Sequence, residues 1–305
     1  MWQSLLQDLK LSNYKSLARC ISLVENEAAG YEEFLQQLPL TTTPVIGITG
    51  PPGAGKSTLV DSLINLLVEH GKKVAVLCVD PSSAFNLGAL LGDRIRMSNW
   101  YNHPNVYIRS LATRGSLGGL HPKILEITDL CKTAPFDYVI VETVGVGQSE
   151  IEIAGLADVT VVVLVPEAGD EVQTMKAGLM EIADVFVVNK ADRPDADLFV
   201  RNLGHMLAPS NSKIKTAVVK TVATEKKGIK ELWQQIDEYL QLQLTNERRS
   251  WLLAEKAYFL LQQQRMKDIS KQLLKKQIES EMMKGHFNLY QFVNKKAGIM
   301  NHTGL

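Results

Sequence analysis

Gly50-Pro51-Pro52-Gly53-Ala54-Gly55-Lys56-Ser57 fits the pattern G-x-x-x-x-G-K-[ST]. Glycines let backbone N–H groups turn inward around phosphate oxygens. A helix N-terminus behind them adds the positive end of its dipole. The Lys56 ammonium is expected to reach the β- and γ-phosphates, and the Ser57 hydroxyl to ligate Mg²⁺. Thr58 joins this set of predicted nucleotide contacts. A second pattern, Asn189-Lys190-Ala191-Asp192, reads N-K-x-D. A carboxylate at Asp192 accepts two hydrogen bonds from guanine N1–H and N2–H₂. Adenine lacks that donor pair, so the motif selects GTP over ATP. Asn189 is expected to brace the loop and the Lys190 stem to cover a face of the base. Thr221, Val222 and Ala223 end the following strand, where a backbone contact to guanine and a plain loop are both open readings.

Carboxylates supply the metal side. Glu142-Thr143-Val144-Gly145 resembles the D-x-x-G of small GTPases with Glu in place of Asp. Glu142 is expected to hold Mg²⁺ directly or through water. Gly145 can give its N–H to a γ-phosphate and move when that phosphate leaves. Asp80 ends an apolar run, and Asp93 lies in a Ser- and Gly-containing loop. Ser57, Asp80, Asp93 and Glu142 together form an all-oxygen set suited to Mg²⁺. Where Ras-like proteins place a water-orienting Gln after the glycine, this chain has Val146, with Gln148 two residues on. Slow intrinsic hydrolysis, accelerated by a partner or by dimerisation, is the expectation.

The elements that must position these residues follow from the apolar pattern. Runs at Val45–Thr49, Val74–Val79, Val106–Ile108, Tyr138–Val141, Val159–Val165, Val185–Val188 and Thr216–Thr221 are short, and several are unbroken. Unbroken runs suit strands covered on both faces. Amphipathic stretches between them, including Lys56 to about His70, predict an α/β fold. Its core is a mainly parallel P-loop NTPase sheet with helices on both faces. Each phosphate, metal and base motif then sits at a strand's C-terminal end, where α/β folds bind ligands. Residues 1–40 read as an N-terminal helical extension, with Leu17, Ile21, Val24 and Ala28 on one face. Residues 41–243 read as the nucleotide domain, closed by a helix over 228–243. Residues 244–305 read as a helical arm for dimerisation, with a face through Met266, Ile269 and Leu273.

Composition narrows the function classes. The chain has 305 residues, 33 Lys+Arg and 33 Asp+Glu, so no net attraction draws it to a polyanion; neither nucleic acid nor membrane is an expected partner. Cys20, Cys78 and Cys131 form no CxxC pair, which argues against disulfides and structural zinc and for a reducing compartment. No signal-peptide pattern and no membrane-length apolar run occur, so a cytoplasmic location is expected.

Longer segments carry a specific resemblance. Val79-Asp80-Pro81-Ser82-Ser83 with Leu91-Gly92-Asp93-Arg94-Ile95-Arg96-Met97 resembles the first switch of the MeaB/ArgK family of P-loop GTPases. Glu142-Thr143-Val144-Gly145-Val146-Gly147-Gln148-Ser149-Glu150 is similar to the family's second switch. Gly169-Asp170-Glu171-Val172-Gln173-Thr174-Met175-Lys176-Ala177-Gly178 is similar to its third mobile segment. The resemblance spans roughly residues 15–240, with the motifs in order. It implies a SIMIBI-class GTPase, typically a homodimer. Such proteins are chaperones of adenosylcobalamin-dependent acyl-CoA mutases, above all methylmalonyl-CoA mutase. It implies that GTP binding and hydrolysis gate cofactor loading and protect or reactivate the mutase. It makes Lys56, Asp93, Glu142, Gly145 and Lys176 the residues of hydrolysis and signalling, with Lys176 communicating with the partner. Two segments depart from the pattern: Ala84-Phe85-Asn86-Leu87-Gly88 in the first switch, and the tail after about residue 280. The alternatives are a SIMIBI metallochaperone, a small-molecule kinase or a transport ATPase. Six dispersed histidines and unpaired cysteines argue against the first, and N-K-x-D argues against the others.

Overall fold

The structure, a computed structural model, describes residues 1–11, 13–80, 97–113, 120–145, 149–166, 178–207, 216–242, 246–266, 268–285 and 287–296. Seven strands form one sheet: β1 Val45–Thr49, β2 Val74–Asp80, β3 Val106–Ala112, β4 Tyr138–Glu142, β5 Val159–Leu164, β6 Val185–Val188 and β7 Ala217–Lys220. Their order is β3-β2-β4-β1-β5-β6-β7, and every pairing is parallel. The helices are α1 Trp2–Lys10, α2 Tyr14–Glu25, α3 Tyr31–Leu35, α4 Lys56–Glu69, α5 Ile124–Thr133, α6 Ser149–Leu156, α7 Gly178–Ile182, α8 Ala196–Leu207, α9 Ile229–Leu242, α10 Asn246–Arg265, α11 Lys271–Met282 and α12 Leu289–Lys296.

The strands are buried on both faces because helices cover both. Along β2, Ala75, Leu77 and Val79 enter a core shared with α1, α2, α3, α5 and α6. Val74, Val76 and Cys78 enter another, shared with α4 and α9. Side chains alternate across a strand, so two apolar faces make the run unbroken. A third cluster sets Val162, Leu164, Phe186 and Val188 against α7 and α8. Cys20, Cys78 and Cys131 are all buried and unbridged. Burial pushes the thiol of Cys20 up to about 11 and that of Cys131 up to about 12, which leaves both protonated and inert.

Three aspartates fix the register at the N-terminal edge of the sheet. The carboxylates of Asp137, Asp158 and Asp184 accept from Lys73 N (2.8 Å), Val45 N (2.7 Å) and Thr160 N (2.8 Å). Each aspartate's own N–H donates to the carbonyl of the same partner residue. The pairing that starts there carries through to the opposite edge. Ile48 and Cys78 both stand beside Glu142, and Asp80 stands beside Ala112.

Several boundaries differ from the sequence reading. β2 and β4 run one residue further, so Asp80 and Glu142 are the last paired residues of their strands. β3 continues to Ala112 although Arg109 and Ser110 interrupt its apolar run. It is an edge strand, and Arg109 Nη2 donates to Glu25 Oε2 (2.5 Å) and Ser22 Oγ (3.1 Å) of α2. β5 stops at Leu164, and β7 keeps only Ala217–Lys220.

By contacts the chain divides into Met1–Leu252 and Leu253–Leu305. In the second unit the face predicted through Met266, Ile269 and Leu273 is not a single helical face. α10 ends at Arg265, and Ser270 caps a new helix by accepting from Leu273 N. Neither α11 nor α12 buries a residue. Among the described residues no helix is long and apolar enough to cross a membrane.

Candidate nucleotide site

The C-terminal ends of β1, β2, β4, β6 and β7 converge on two adjoining cavities. The first, of about 450 Å³, is lined by the 52–58 loop, Asp80, Glu142, Thr143, Val144 and Lys190. The second, of about 210 Å³, is lined by Asn189, Asp192, Arg193, Val222, Ala223 and Thr224. Gly55, Thr58 and Lys190 belong to both walls, so the cavities form one continuous groove.

The loop between β1 and α4 follows from its glycines. Gly55 is left-handed at φ 89°, and a side chain on it would collide with the Asn189 amide. Lys56 is 6% exposed, and its ammonium donates to Gly50 O (2.8 Å) and Pro51 O (3.1 Å). Loop carbonyls thus hold the ammonium at the wall of the larger cavity. Ser57 Oγ donates to Glu142 Oε1 at 2.7 Å, and Asp80 lines the same wall. Ser57, Asp80 and Glu142 are each under a tenth exposed. Thr49 Oγ1 and Thr143 Oγ1, 2.9 Å apart, tie β1 to the residue after Glu142.

Gly145 closes the wall from the other side. It is left-handed at φ 83°, and a Cβ would strike the Lys56 ammonium and the Gly50 carbonyl. Gly145→Ala therefore displaces the lysine and strains the backbone. It is expected to cost about 1–3 kcal/mol of stability, read by urea unfolding without nucleotide.

The base end is organised by Asn189, which is 2% exposed. Its Nδ2 donates to Ala54 O at 2.9 Å, inside the phosphate loop. Its Oδ1 accepts from Thr221 Oγ1 (3.0 Å) and Ala223 N (3.2 Å), beyond β7. One amide thus ties three loops together. Lys190, at φ 56°, donates from Nζ to Gly53 O at 2.8 Å, so its stem crosses from the base loop to the phosphate loop. Asp192 is exposed at the rim of the smaller cavity.

Of the residues singled out by sequence, 50–58, Asp80, Glu142, Gly145, Asn189, Lys190, Asp192, Val222 and Ala223 come together around this groove. Asp93, Val146, Gln148 and Lys176 lie outside the described residues. So do most of the first switch and nearly all of the third segment. Sequence reasoning gave no role to Ser62, Thr143, Arg193 or Thr224, and none to the Thr221 side chain. The only available signal for Ser62 is one polar residue among Leu59, Val60, Leu63 and Ile64 on a buried helix face.

The donor chemistry suits Mg²⁺, which prefers a few carboxylates plus phosphates to an all-protein cage. All the donors are oxygens. The 2.7 Å between Ser57 Oγ and Glu142 Oε1 brings two oxygen donors side by side, as a shared hard cation with oxygen ligands would require. Among the described residues no cluster of three His, Cys, Asp or Glu forms a cage of its own.

Comparison with known proteins agrees with this geometry. A family profile described as "Methylmalonyl Co-A mutase-associated GTPase MeaB" matches residues 17–279. A Pyrococcus abyssi protein named as a GTPase is 44% identical over 294 residues, covering 94% of this chain and 89% of that one. The GTPase ArgK of Escherichia coli is 37% identical over 243 residues, covering 76% and 73%. The mouse protein named methylmalonic aciduria type A homolog, mitochondrial, is 36% identical over 250 residues, covering 73% and 59%. Among solved structures, one described as an LAO/AO transport system kinase superposes with a TM-score of 0.67 at 27% identity, covering 99% and 93%. The site is a P-loop nucleotide site on a parallel sheet, the profile spans most of the sequence, and the chain belongs to the MeaB family of GTPases.

Proposed function

We propose that this protein binds and hydrolyses GTP. We further propose that its nucleotide state gates adenosylcobalamin loading into an acyl-CoA mutase, methylmalonyl-CoA mutase in the family's own description, and protects or reactivates that enzyme. The observation that carries the nucleotide half is the continuity of the groove. Asn189 and Lys190 of the base loop both donate to carbonyls of the phosphate loop. Base recognition and phosphate recognition are therefore held at a fixed separation, as a nucleoside polyphosphate requires.

In this reading the 50–58 backbone and the Lys56 ammonium neutralise the phosphates. Asp192 accepts from guanine N1–H and N2–H₂, and the Lys190 stem covers one face of the base. Ser57, Glu142 and Asp80, with Asp93, hold Mg²⁺ directly or through water. That ion supplies charge neutralisation at the β- and γ-phosphates. Gly145 donates its N–H to the γ-phosphate. Lys176 carries the signal to the partner, and a second copy of the chain completes a dimer. The family description and the name of the mouse relative support the mutase half.

Two measurements test the halves separately. Calorimetric titration with GDP and ADP is expected to favour GDP by at least about a hundredfold, from two lost charge-assisted hydrogen bonds; equal affinity would defeat the guanine reading. Steady-state GTP hydrolysis is expected to be slow alone and to rise at least tenfold when an adenosylcobalamin-dependent acyl-CoA mutase is added, about 1.4 kcal/mol of barrier. A rate unmoved by the mutase would sink the chaperone reading and leave the GTPase reading intact.

A further inference from the structure

The base loop is held from an unexpected side. Ser62 lies in α4, five residues beyond Ser57, and is 3% exposed. Its hydroxyl donates to Ala223 O at 2.8 Å, across 161 residues of sequence. On the other side of the same residue, Ala223 N donates to Asn189 Oδ1 at 3.2 Å. The loop is closed beyond it by the Val222–Lys227 bridge, with Val222 N donating to Lys227 O at 3.1 Å. Ala223 is therefore gripped at its N–H by the guanine motif and at its carbonyl by the phosphate-binding helix.

We infer that Ser62 is a positioning residue for base selection: by fixing the Ala223 carbonyl it aims the Thr224 N–H, which reads the oxygen at C6 of guanine. The physical link is the peptide plane. In a trans peptide the C=O and the following N–H point in opposite directions. A side chain that holds the Ala223 carbonyl therefore sets the direction of the Thr224 N–H, and Thr224 lines the base cavity. A backbone donor there suits guanine, which carries an acceptor at C6, and opposes adenine, which carries a donor. This divides the reading of the base. Asp192 senses N1–H and the 2-amino group, while the 222–224 backbone senses position 6. The division rests on the guanine reading proposed above and goes beyond it in assigning Ser62 and separating the two tests.

The experiment uses the full chain and three diphosphates. Inosine diphosphate lacks the 2-amino group, and 6-thioguanosine diphosphate replaces only the C6 oxygen by a weak acceptor. Wild-type protein is expected to prefer GDP over both. Ser62→Ala is expected to weaken GDP about tenfold, the loss of one hydrogen bond's alignment. It brings the GDP to 6-thio-GDP ratio close to one and leaves the GDP to inosine diphosphate ratio unchanged. Ser62→Thr, which keeps a hydroxyl, restores the first ratio. If Ser62→Ala does not fold, Ser62→Cys keeps the volume with only a weak donor and takes its place. Equal weakening of all three ligands, or none, overturns the inference, as does wild-type indifference to the C6 oxygen. Wild-type preference for GDP over ADP, measured alongside, reports separately on the guanine reading itself.

Discussion

Lys56→Ala is expected to lower affinity for GDP and GTP by about a thousandfold while leaving the nucleotide-free protein folded. Lys56 is 6% exposed and its ammonium donates to two loop carbonyls. Those carbonyls turn back on the lysine and hold its charge at the wall of the larger cavity. Removing one partner of a buried charge pair costs about 3–5 kcal/mol, because the other charge remains uncompensated. Here the uncompensated partner is the phosphate chain, which then goes unbound. The free protein loses a cation held by loop carbonyls, a cost near 1–3 kcal/mol. Calorimetry against GDP and a urea unfolding curve without nucleotide separate the two. Loss of the cooperative unfolding transition in the variant would show that Lys56 holds the fold. Retained binding would show that another cation holds the phosphates.

The contrast between Lys56 and Ser62 shows what a sequence reveals. The phosphate loop is legible because its geometry is local. Eight consecutive residues carry the turn, the donors and the ammonium, and β1 and α4 flank them directly. The N-K-x-D segment after β6 is legible for the same reason. The braces between these loops are not. Asn189 reaches Ala54 across 135 residues, and Ser62 reaches Ala223 across 161. No spacing rule relates residues so far apart, since only the strand order β4-β1-β5-β6-β7 brings them together. The strand ends fail for a related reason. Asp80 and Glu142 end apolar runs, yet both keep ladder partners, Asp80 on the edge strand β3 and Glu142 on β1 and β2. Arg109 breaks the pattern of β3, yet a carboxylate on α2 satisfies it. In each case a polar residue that looks like a boundary is held within the element by a tertiary partner.

Net charge misled in the same way. Equal counts of 33 cationic and 33 anionic residues excluded a general polyanion surface. They concealed a local separation, with the Lys56 ammonium and the Glu142 and Asp80 carboxylates all buried around one cavity of about 450 Å³. Buried charges gain strength from the low dielectric around them, and each costs heavily unless paired. An arrangement of this kind suits the polyphosphate and hard divalent cation proposed above.

Asp192→Asn is expected to convert guanine selectivity into xanthine selectivity. Xanthine keeps N1–H but carries an oxygen where guanine carries the 2-amino group. The asparagine oxygen still accepts from N1–H, and its amide now donates to that oxygen. With guanine the same amide faces the 2-amino group, donor against donor. The lost charge-assisted bond alone is worth about 1.5–3 kcal/mol, so GDP is expected to weaken roughly 10- to 150-fold, and further through the donor clash. Xanthosine diphosphate should gain by a comparable factor. Asp192 is exposed at the rim, so the exchange leaves the core intact and unfolding in urea should hardly move. Displacement of a fluorescent GDP analogue by GDP, xanthosine diphosphate and ADP reads all three affinities in one titration series. A variant that loses GDP without gaining xanthosine diphosphate would mean that Asp192 shapes the loop and does not itself touch the base.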